Sequence, residues 1–231
     1  MGDSQIIQIS NLVKDYAMGK QFFRALHDVN LSINTGEFCG LVGPSGSGKT
    51  TLLNIIGALD NPTGGDAIVM NNSVKKLKNK EAAKLRNESI GFIFQTYNLL
   101  PVYTVFENVE FPLLLLKKSK KERDEAVMRA LEWVGLSDKV NSRPNQLSGG
   151  ESQRVAVARA MVKLPKIVLA DEPTANLDAA NSHNILQTML KLNMELKTTF
   201  IFATHDEKVI RYLRRKVALS DGKVIDDIIM N

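Results

Sequence analysis

The segment Gly43-Pro-Ser-Gly-Ser-Gly-Lys49-Thr50 decides the fold of this chain, because it matches the pattern G-x-x-x-x-G-K-[ST]. It follows an apolar run, Phe38–Val42, and precedes a helical pattern that begins near Thr50. Glycines let successive N–H groups turn around an anion, and the helix N-terminus adds its positive dipole end. The sequence therefore predicts a strand, a loop and a helix that bind a nucleoside triphosphate, with Lys49 and Thr50 reaching the terminal phosphate and Mg²⁺. The predicted nucleotide-binding residues are Gly43, Pro44, Ser45, Gly46, Ser47, Gly48, Lys49, Thr50 and Thr51.

Composition favours one globular unit, since the chain has 231 residues, of which 44% are hydrophobic. Its longest apolar runs, Leu52–Leu59 and Phe111–Leu116, are much shorter than the roughly 20 residues that span a bilayer. We expect no transmembrane segment, and the absence of a secretory pattern at the N-terminus predicts a cytoplasmic location. The net charge of +5 is mild and does not indicate a nucleic-acid partner. The lysines at 117, 118, 120 and 121 could contact anionic lipid or a partner, or could start a solvated helix.

Strand candidates indicate an α/β fold with two kinds of sheet. The early candidates alternate polar and apolar residues, which is typical of an antiparallel sheet with one wet face, whereas runs such as Ile167–Ala170 are continuously apolar and suit a covered parallel sheet. Asp221-Gly222 predicts a hairpin between the last two strands. The candidates are 6–12, 29–33, 38–42, 67–70, 90–94, 167–170, 199–203, 216–220 and 224–228.

A helical stretch interrupts this pattern between the fifth and sixth strand candidates. Ser119-x-x-Glu122 is a capping box, and Val127, Ala130, Leu131 and Val134 follow it on one helical face. Thr104 is predicted to cap an earlier helix, which Pro112 should kink, and Gly135 should end the helix that Ser119 begins. Asp178 is predicted to cap a later helix. We therefore predict a single domain over 1–231, with a core lobe of 1–95 and 163–231 and an inserted α-helical subdomain of 96–162.

Four candidate groups directly follow strand candidates: the glycine-rich loop, Gln95, the pair Asp171-Glu172, and His205. The carboxyl ends of parallel strands meet at one edge of a sheet, so these groups can share one site. Asp171 would hold hydrated Mg²⁺ through water, and Glu172 would deprotonate the attacking water. Gln95 would ligate the metal together with Thr50, and His205 would bind the γ-phosphate and hold Glu172. Taken alone, Asp171-Glu172 could instead cap the next turn, Gln95 could simply close a strand, and His205 could be a satisfied structural histidine.

The segment Leu147-Ser-Gly-Gly-Glu151 precedes a second helical pattern and offers another helix N-terminus with close-approach glycines. Ser148 and Glu151 also have the spacing of a capping box, and both roles are compatible. Because this segment belongs to the helical insertion, we expect it to close over a nucleotide held by a second copy of the chain. The residues predicted to act in this way are Ser148, Gly149, Gly150, Glu151 and, by the resemblance given next, Asp178.

With these residues placed, the chain resembles the nucleotide-binding subunit of ATP-binding-cassette (ABC) transporters over essentially its whole length. Residues 43–50 match the family's Walker A, Gln95 its Q-loop, 147–151 its LSGGQ signature with Glu151 replacing Gln, 167–172 its Walker B, 175–178 its D-loop and His205 its switch histidine. Tyr16 fits the aromatic that stacks on adenine, although a partly buried strand-end aromatic is an equal alternative for this residue alone. The resemblance implies an ATPase that forms a homodimer with two ATP molecules between Walker A of one chain and the signature of the other.

The amino-acid sequence of the segments 53–60, 94–101 and 170–178 is most similar to that of the lipoprotein-releasing and macrolide-export branch of the family. Related cell-division and antimicrobial-peptide-resistance ATPases share much of it. The resemblance implies separate membrane permease subunits, whose cytoplasmic helices dock near Gln95 and 97–116, and a peripheral position on the cytoplasmic face of the inner membrane. A DNA-repair ATPase is less consistent, because the short stretch between Thr50 and Leu147 contains no sustained heptads.

Overall fold

The computed structural model describes residues 5–230. Residues 1–4, which belong to the N-terminus that lacks a secretory pattern, and Asn231 lie outside the described residues. The first sheet is antiparallel, with the strand order β2-β1-β4-β5. Its strands are β1 (Gln5–Met18), β2 (Gln21–Asn34), β4 (Gly64–Val69) and β5 (Asn72–Ser73). Burial alternates from Ile7 to Ser10 of β1, as expected for a sheet with one wet face.

The second sheet has six strands in the order β10-β9-β3-β8-β7-β6, and five of them are parallel. Every residue of β3 and β8 is buried, which explains why these strands are apolar without alternation. Only β10 at the edge runs antiparallel, through the predicted hairpin in which Asp221 and Gly222 both have positive φ. The strands are β3 (Phe38–Val42), β6 (Ile90–Ile93), β7 (Ile167–Asp171), β8 (Thr199–Thr204), β9 (Arg215–Ser220) and β10 (Lys223–Ile229).

Seven α-helices lie among the described residues, and five of them begin at a side chain that accepts a hydrogen bond from a backbone N–H of the first turn. Four of these caps are the predicted Thr104, Ser119, Ser148 and Asp178, and the fifth is Asp206. Pro112 lies inside α3, which ends two residues later. The helices are α1 (Lys49–Ile56), α2 (Asn79–Ser89), α3 (Val105–Leu114), α4 (Lys120–Trp133), α5 (Gly149–Met161), α6 (Ala179–Leu196) and α7 (Glu207–Ile210).

The six-stranded sheet has a separate apolar core on each face. Phe200 and Phe202 of β8 point into a cluster formed with helices α3 to α6. Ile201 and Ala203 of the same strand point into the cluster formed with α1 and the antiparallel sheet. The predicted α/β fold with a mainly parallel sheet and an antiparallel sheet is therefore confirmed. Within the described residues, the structure contains no helix that is both long and apolar enough to cross a bilayer.

Candidate active site

The carboxyl ends of β3, β6, β7 and β8 open onto a cavity of about 500 Å³. All four groups that the sequence places after strands contribute to its walls, because the strands are parallel neighbours and end at the same edge. The antiparallel sheet adds a further wall. The lining residues are Tyr16, Phe23, Ala25, Ser45, Gly46, Gly48, Lys49, Thr50, Thr51, Gln95, Asp171, Glu172, Ala175 and His205.

The glycine-rich loop is folded around the Lys49 side chain, which donates from Nζ to the backbone oxygens of Gly43 and Pro44, each at 2.8 Å. Burial lowers the pKa of this ammonium, against the opposing charges of Glu172 and Asp171. The turn between β9 and β10 supports the loop from outside, because the Gly222 N–H donates to the Ser47 oxygen at 3.1 Å. The loop is thus fixed from both sides with a cation at its centre.

Thr50 and Asp171 meet beside the loop. The Thr50 hydroxyl donates to the Asp171 carboxylate, with Oγ1 at 3.1 Å from Oδ2 and 3.2 Å from Oδ1. Burial raises the pKa of Asp171, and the neighbouring charge of Glu172 adds to this effect. A half-buried carboxylate of this kind is stabilised by a cation, and hydroxyl and carboxylate oxygens are the donors that Mg²⁺ prefers. The donor set therefore fits a magnesium ion. Within the described residues, no cluster of three His, Cys, Asp or Glu side chains could hold a metal by itself.

Glu172 is held in one orientation by three contacts with β8 and the residue that follows it. Its backbone N–H donates to the Ala203 oxygen at 2.9 Å, and Oε2 accepts from the Thr204 hydroxyl at 3.0 Å. Oε1 lies 2.6 Å from Nδ1 of His205. Glu172 also has φ +43°, a left-handed conformation that is rare for this residue type and persists only where its surroundings fix it.

Gln95 lies two residues beyond the end of β6 and lines the same cavity. Its backbone oxygen accepts a hydrogen bond from the Asn176 amide at 3.0 Å. Asn176 belongs to the segment between β7 and α6 that ends at Asp178. The structure therefore connects the strand-end glutamine to the segment that follows Asp171 and Glu172.

An aromatic wall closes the end of the cavity that belongs to the antiparallel sheet. Tyr16 on β1 pairs across the ladder with Phe23 on β2, and both line the cavity. The sequence reasoning named Tyr16 but missed Phe23 and Ala25. It included Ala175 only as the first residue of the segment 175–178. The signal that could have found Phe23 is a long hairpin around Gly19, which places residues at equal distances from the turn opposite each other.

The segment 147–151 lies outside this cavity. Ser148 caps α5: its Oγ accepts from the Glu151 N–H at 3.2 Å, and Glu151 Oε2 accepts from the Ser148 N–H at 2.8 Å. These bonds lower the pKa of Glu151, and Lys139 lies 3.4 Å from its Oε1. Asp178 likewise caps α6 through the Asn181 N–H at 2.8 Å. The predicted caps at Ser148 and Asp178 are therefore both present. Neither residue lines the cavity of its own chain.

Comparison with known proteins supports the family resemblance that the sequence indicates. The sequence profile described as "ABC transporter" matches residues 26–175. The chain is 46% identical over 220 residues to the ABC transporter ATP-binding protein YknY of Bacillus subtilis (strain 168), covering 95% of each chain. A structure described as a dimeric post-hydrolysis state of the cassette MJ0796 bound to ADP and Pi matches with a TM-score of 0.90 and 43% identity, over 97% of this chain and 99% of that one. That protein comes from Methanocaldococcus jannaschii. CbiO1 of Clostridium perfringens, part of the complex cbiONQ, matches with a TM-score of 0.88 and 30% identity, over 98% of this chain and 88% of that one.

Proposed function

The chain belongs to the ABC transporter family as an ATP-binding ATPase subunit, and on this premise we propose that two copies close head to tail around two ATP molecules. Closure and hydrolysis would then drive separate membrane subunits, in the manner of the lipoprotein-releasing and macrolide-export branch. One observation carries this proposal. The cavity collects the predicted metal groups and most of the glycine-rich loop, whereas 148–151 and Asp178 lie elsewhere on the same chain. Gly43, Pro44 and Ser47 belong to the loop but do not line the cavity.

The proposed dimer follows from that separation. Ser148 and the first N–H groups of α5 form a helix N-terminus that favours anions but lies outside the cavity of its own chain. A nucleotide bound to a second copy would place a phosphate at this helix end. The dimer of MJ0796 is a precedent in a relative. Ser148, Gly149, Gly150, Glu151 and Asp178 would thus act on the nucleotide of the partner.

In the proposed mechanism, Lys49 and the loop N–H groups stabilise charge on the transferred phosphoryl group. Glu172 accepts a proton from the attacking water, and His205 with Thr204 keeps its carboxylate aimed at the cavity. Thr50, Gln95 and Asp171 would hold Mg²⁺, the last through water; when bound, this ion supplies positive charge beside the phosphates. Tyr16 would stack on the base.

The proposal is tested with the Glu172→Gln variant, which keeps the shape of the side chain but removes the base. We expect it to bind ATP, to lose nearly all turnover and to remain dimeric in light scattering at saturating ATP. A monomer under these conditions, with ATP binding confirmed by calorimetry, would refute the two-copy site.

The proposed docking region for a membrane subunit is a groove of about 340 Å³ beside α3, which would place the chain at the cytoplasmic face of the inner membrane. Its wall includes Phe94, Phe111 and Pro112. Phe111 is 44% exposed, whereas Leu113 of the same helix is fully buried, so Phe111 is available to a partner.

Site-specific crosslinking tests this region. Cys39, the single cysteine of the chain, is buried, so a Phe111→Cys variant carries one reactive thiol. In a membrane preparation supplied with ATP, we expect the Phe111→Cys variant to crosslink to an integral membrane protein. The Ile225→Cys variant should not, because β10 lies at the edge of the sheet opposite to β6. Equal crosslinking from both positions, or recovery of only ribosomes or DNA, would contradict the assignment.

A further inference from the structure

The hydroxyl of Tyr16 is fixed by a carboxylate outside the cavity. It donates to Oδ2 of Asp60 at 2.9 Å. Tyr16 lies on β1, whereas Asp60 lies in the turn after α1, the helix that begins within the phosphate loop. One carboxylate thus connects the aromatic wall of the cavity to the element that carries the loop.

Lys14 completes this contact. Its Nζ donates to Oδ1 of Asp60 at 2.5 Å and to the Asn61 oxygen at 2.8 Å. The same ammonium lies over the Tyr16 ring, 4.8 Å from its centroid, and Lys14 is only 8% exposed. An ammonium so far from solvent is tolerated because its donors are satisfied and its charge is paired.

Asp60 is the centre of the arrangement, which we call the Tyr16 anchor (Lys14, Tyr16 and Asp60). Burial alone would raise the pKa of its carboxyl, but hydrogen bonds from Lys14, Tyr16 and the Asn61 N–H together hold that pKa below its ordinary value. The carboxylate is therefore charged at neutral pH and accepts both side-chain donors at once.

We propose that Asp60 and Lys14 are positioning residues that hold the Tyr16 ring in the orientation in which it receives the nucleotide base. This inference rests on the proposed function, which places the base against Tyr16. A side chain at the rim of an open cavity loses rotamer freedom when a ligand stacks on it, and fixing it beforehand removes that cost from binding. Lys14 also covers one face of the ring, which leaves the base the other face.

The experiment compares two ligands that differ in having a base. Calorimetry in EDTA measures the dissociation constants of ATP and of inorganic tripolyphosphate without turnover. We expect Asp60→Ala and Lys14→Met each to raise the dissociation constant of ATP about three- to tenfold, the range for one hydrogen bond. Tyr16→Ala should raise it about tenfold or more, as loss of a base stack does. Tripolyphosphate should bind all variants like the unmodified chain.

A double variant separates positioning from general damage. If Asp60 acts through Tyr16, then Asp60→Ala changes ATP affinity less than about twofold once Tyr16 is already Ala. Asp15→Ala is the matched control, because Asp15 neighbours Tyr16 and pairs with Arg24 at 2.7 Å on the surface of the same hairpin. It should leave both ligands unaffected. If Asp60→Ala does not fold, Tyr16→Phe, which keeps the ring and loses only the hydroxyl, makes the same test.

Each alternative outcome has a distinct meaning. An equal loss of ATP affinity from Asp60→Ala with and without Tyr16, or a parallel loss of tripolyphosphate affinity, overturns the positioning role. Unchanged ATP affinity in Asp60→Ala and Tyr16→Phe also overturns it, while a loss in Tyr16→Ala would still uphold the base contact. If Tyr16→Ala itself binds ATP normally, both the base contact and the anchor are wrong, whereas the dimer and the hydrolytic site stand or fall by the Glu172→Gln test.

Discussion

Nδ1 of His205 lies 2.6 Å from Oε1 of Glu172 and thereby joins the residues that follow two neighbouring strands, β7 and β8. The His205 side chain is 60% exposed, whereas that of Glu172 is 16% exposed. In the neutral imidazole, an N–H at Nδ1 that donates to the carboxylate leaves Nε2 as an acceptor. The contact therefore orients, from the solvent side of the cavity, the shielded carboxylate that we propose as the base.

Loss of the groups that hold Glu172 should slow hydrolysis without weakening ATP binding. We expect His205→Ala to lower the rate of phosphate release by about 10²-fold or more, within the range for a general base that loses its alignment. Thr204→Val removes the 3.0 Å bond to Oε2 and also the 3.0 Å bond that the Thr204 hydroxyl accepts from the Asp206 N–H, and it should cost about tenfold. Phosphate release and ATP binding are measured for both.

The matched control for Thr204→Val is Thr188→Val, because the Thr188 hydroxyl donates only within its own helix, to the Asn184 oxygen at 2.9 Å. This variant should hydrolyse ATP normally. If Thr204→Val and His205→Ala both kept the full rate, Glu172 would not depend on these contacts, and the proposed alignment would be wrong.

The sequence was informative wherever a local pattern determines the structure. The parallel strands were predictable because strands covered on both faces are continuously apolar. The candidate site was predictable because its polar residues come directly after those strands. The outer half of the first hairpin was missed: β1 was predicted to end at Leu12 but continues to Met18. Asn11 has φ +47° and the register shifts between Ile9 and Leu12, which breaks the alternation that identifies a strand.

Phe23 was missed for a related reason. The first four residues of β2, 21–24, are all exposed, so no buried face marks them as a strand, and the prediction began only at Val29. The Lys14–Asp60 contact could not be read from the sequence either, since it joins residues that are far apart in the chain and depends on how the hairpin packs on the turn after α1. Long-range side-chain pairs of this kind leave no periodic signal.

The glycines of the phosphate loop should differ in their tolerance of a side chain. Gly46 and Gly48 both have positive φ, but a Cβ on Gly48 would lie 2.8 Å from the Ala25 oxygen, whereas none of the described atoms lies within 4 Å of a Cβ on Gly46. Gly46→Ala should therefore cost about 1 kcal/mol of unfolding free energy from backbone strain alone. Gly48→Ala should cost several times more, because the loop and β2 must also move apart.

Denaturant titration measures both variants, and Gly19→Ala is the control. Gly19 has φ +63° with open space around its Cβ, and it lies in the hairpin turn away from the loop. It should behave like Gly46→Ala in stability and bind ATP normally. Equal stability of Gly48→Ala and Gly19→Ala would contradict the crowding that the structure shows.

A charge pair at the start of α5 should tune the proposed dimer. Glu151 places a carboxylate beside the helix N-terminus that would receive the partner's phosphate, and Lys139, 3.4 Å away, offsets its charge. We expect Lys139→Gln to raise the ATP-dependent dimer dissociation constant about two- to fivefold, as is typical of a partly exposed pair. Glu151→Gln should lower it, and both effects should shrink at high salt.

Light scattering in the Glu172→Gln background, which prevents turnover, follows this equilibrium. The double variant Lys139→Gln with Glu151→Gln should show a smaller effect of the lysine than the single variant, because its partner charge is gone. Lys191→Gln is the control: Lys191 pairs with Glu195 at 3.9 Å on the exposed face of α6. A change of the same size from Lys191→Gln would mean that net charge, and not the position of Lys139, sets the effect.

Lys163 should make stability depend on pH above neutrality. Burial lowers the pKa of its ammonium to about 8 from an ordinary value of 10.5, although Nζ donates to the Arg86 oxygen at 2.7 Å. Between these two values the unfolded chain binds more protons than the folded chain, so the contribution of Lys163 to the unfolding free energy rises as pH rises through about 8 toward 10.5. Below pH 8 both states are protonated and this dependence vanishes.

Urea titrations at pH 7.5 and pH 9.5 of the unmodified chain and of Lys163→Met isolate this effect, because the other groups that titrate in this window are common to both. Methionine keeps most of the apolar stem but carries no proton. The gain in unfolding free energy between the two pH values should be smaller in the variant by roughly 1 kcal/mol, a value reduced from the full shift because the ammonium is only partly buried. Identical gains in both proteins would mean that Lys163 keeps an ordinary pKa in the folded state.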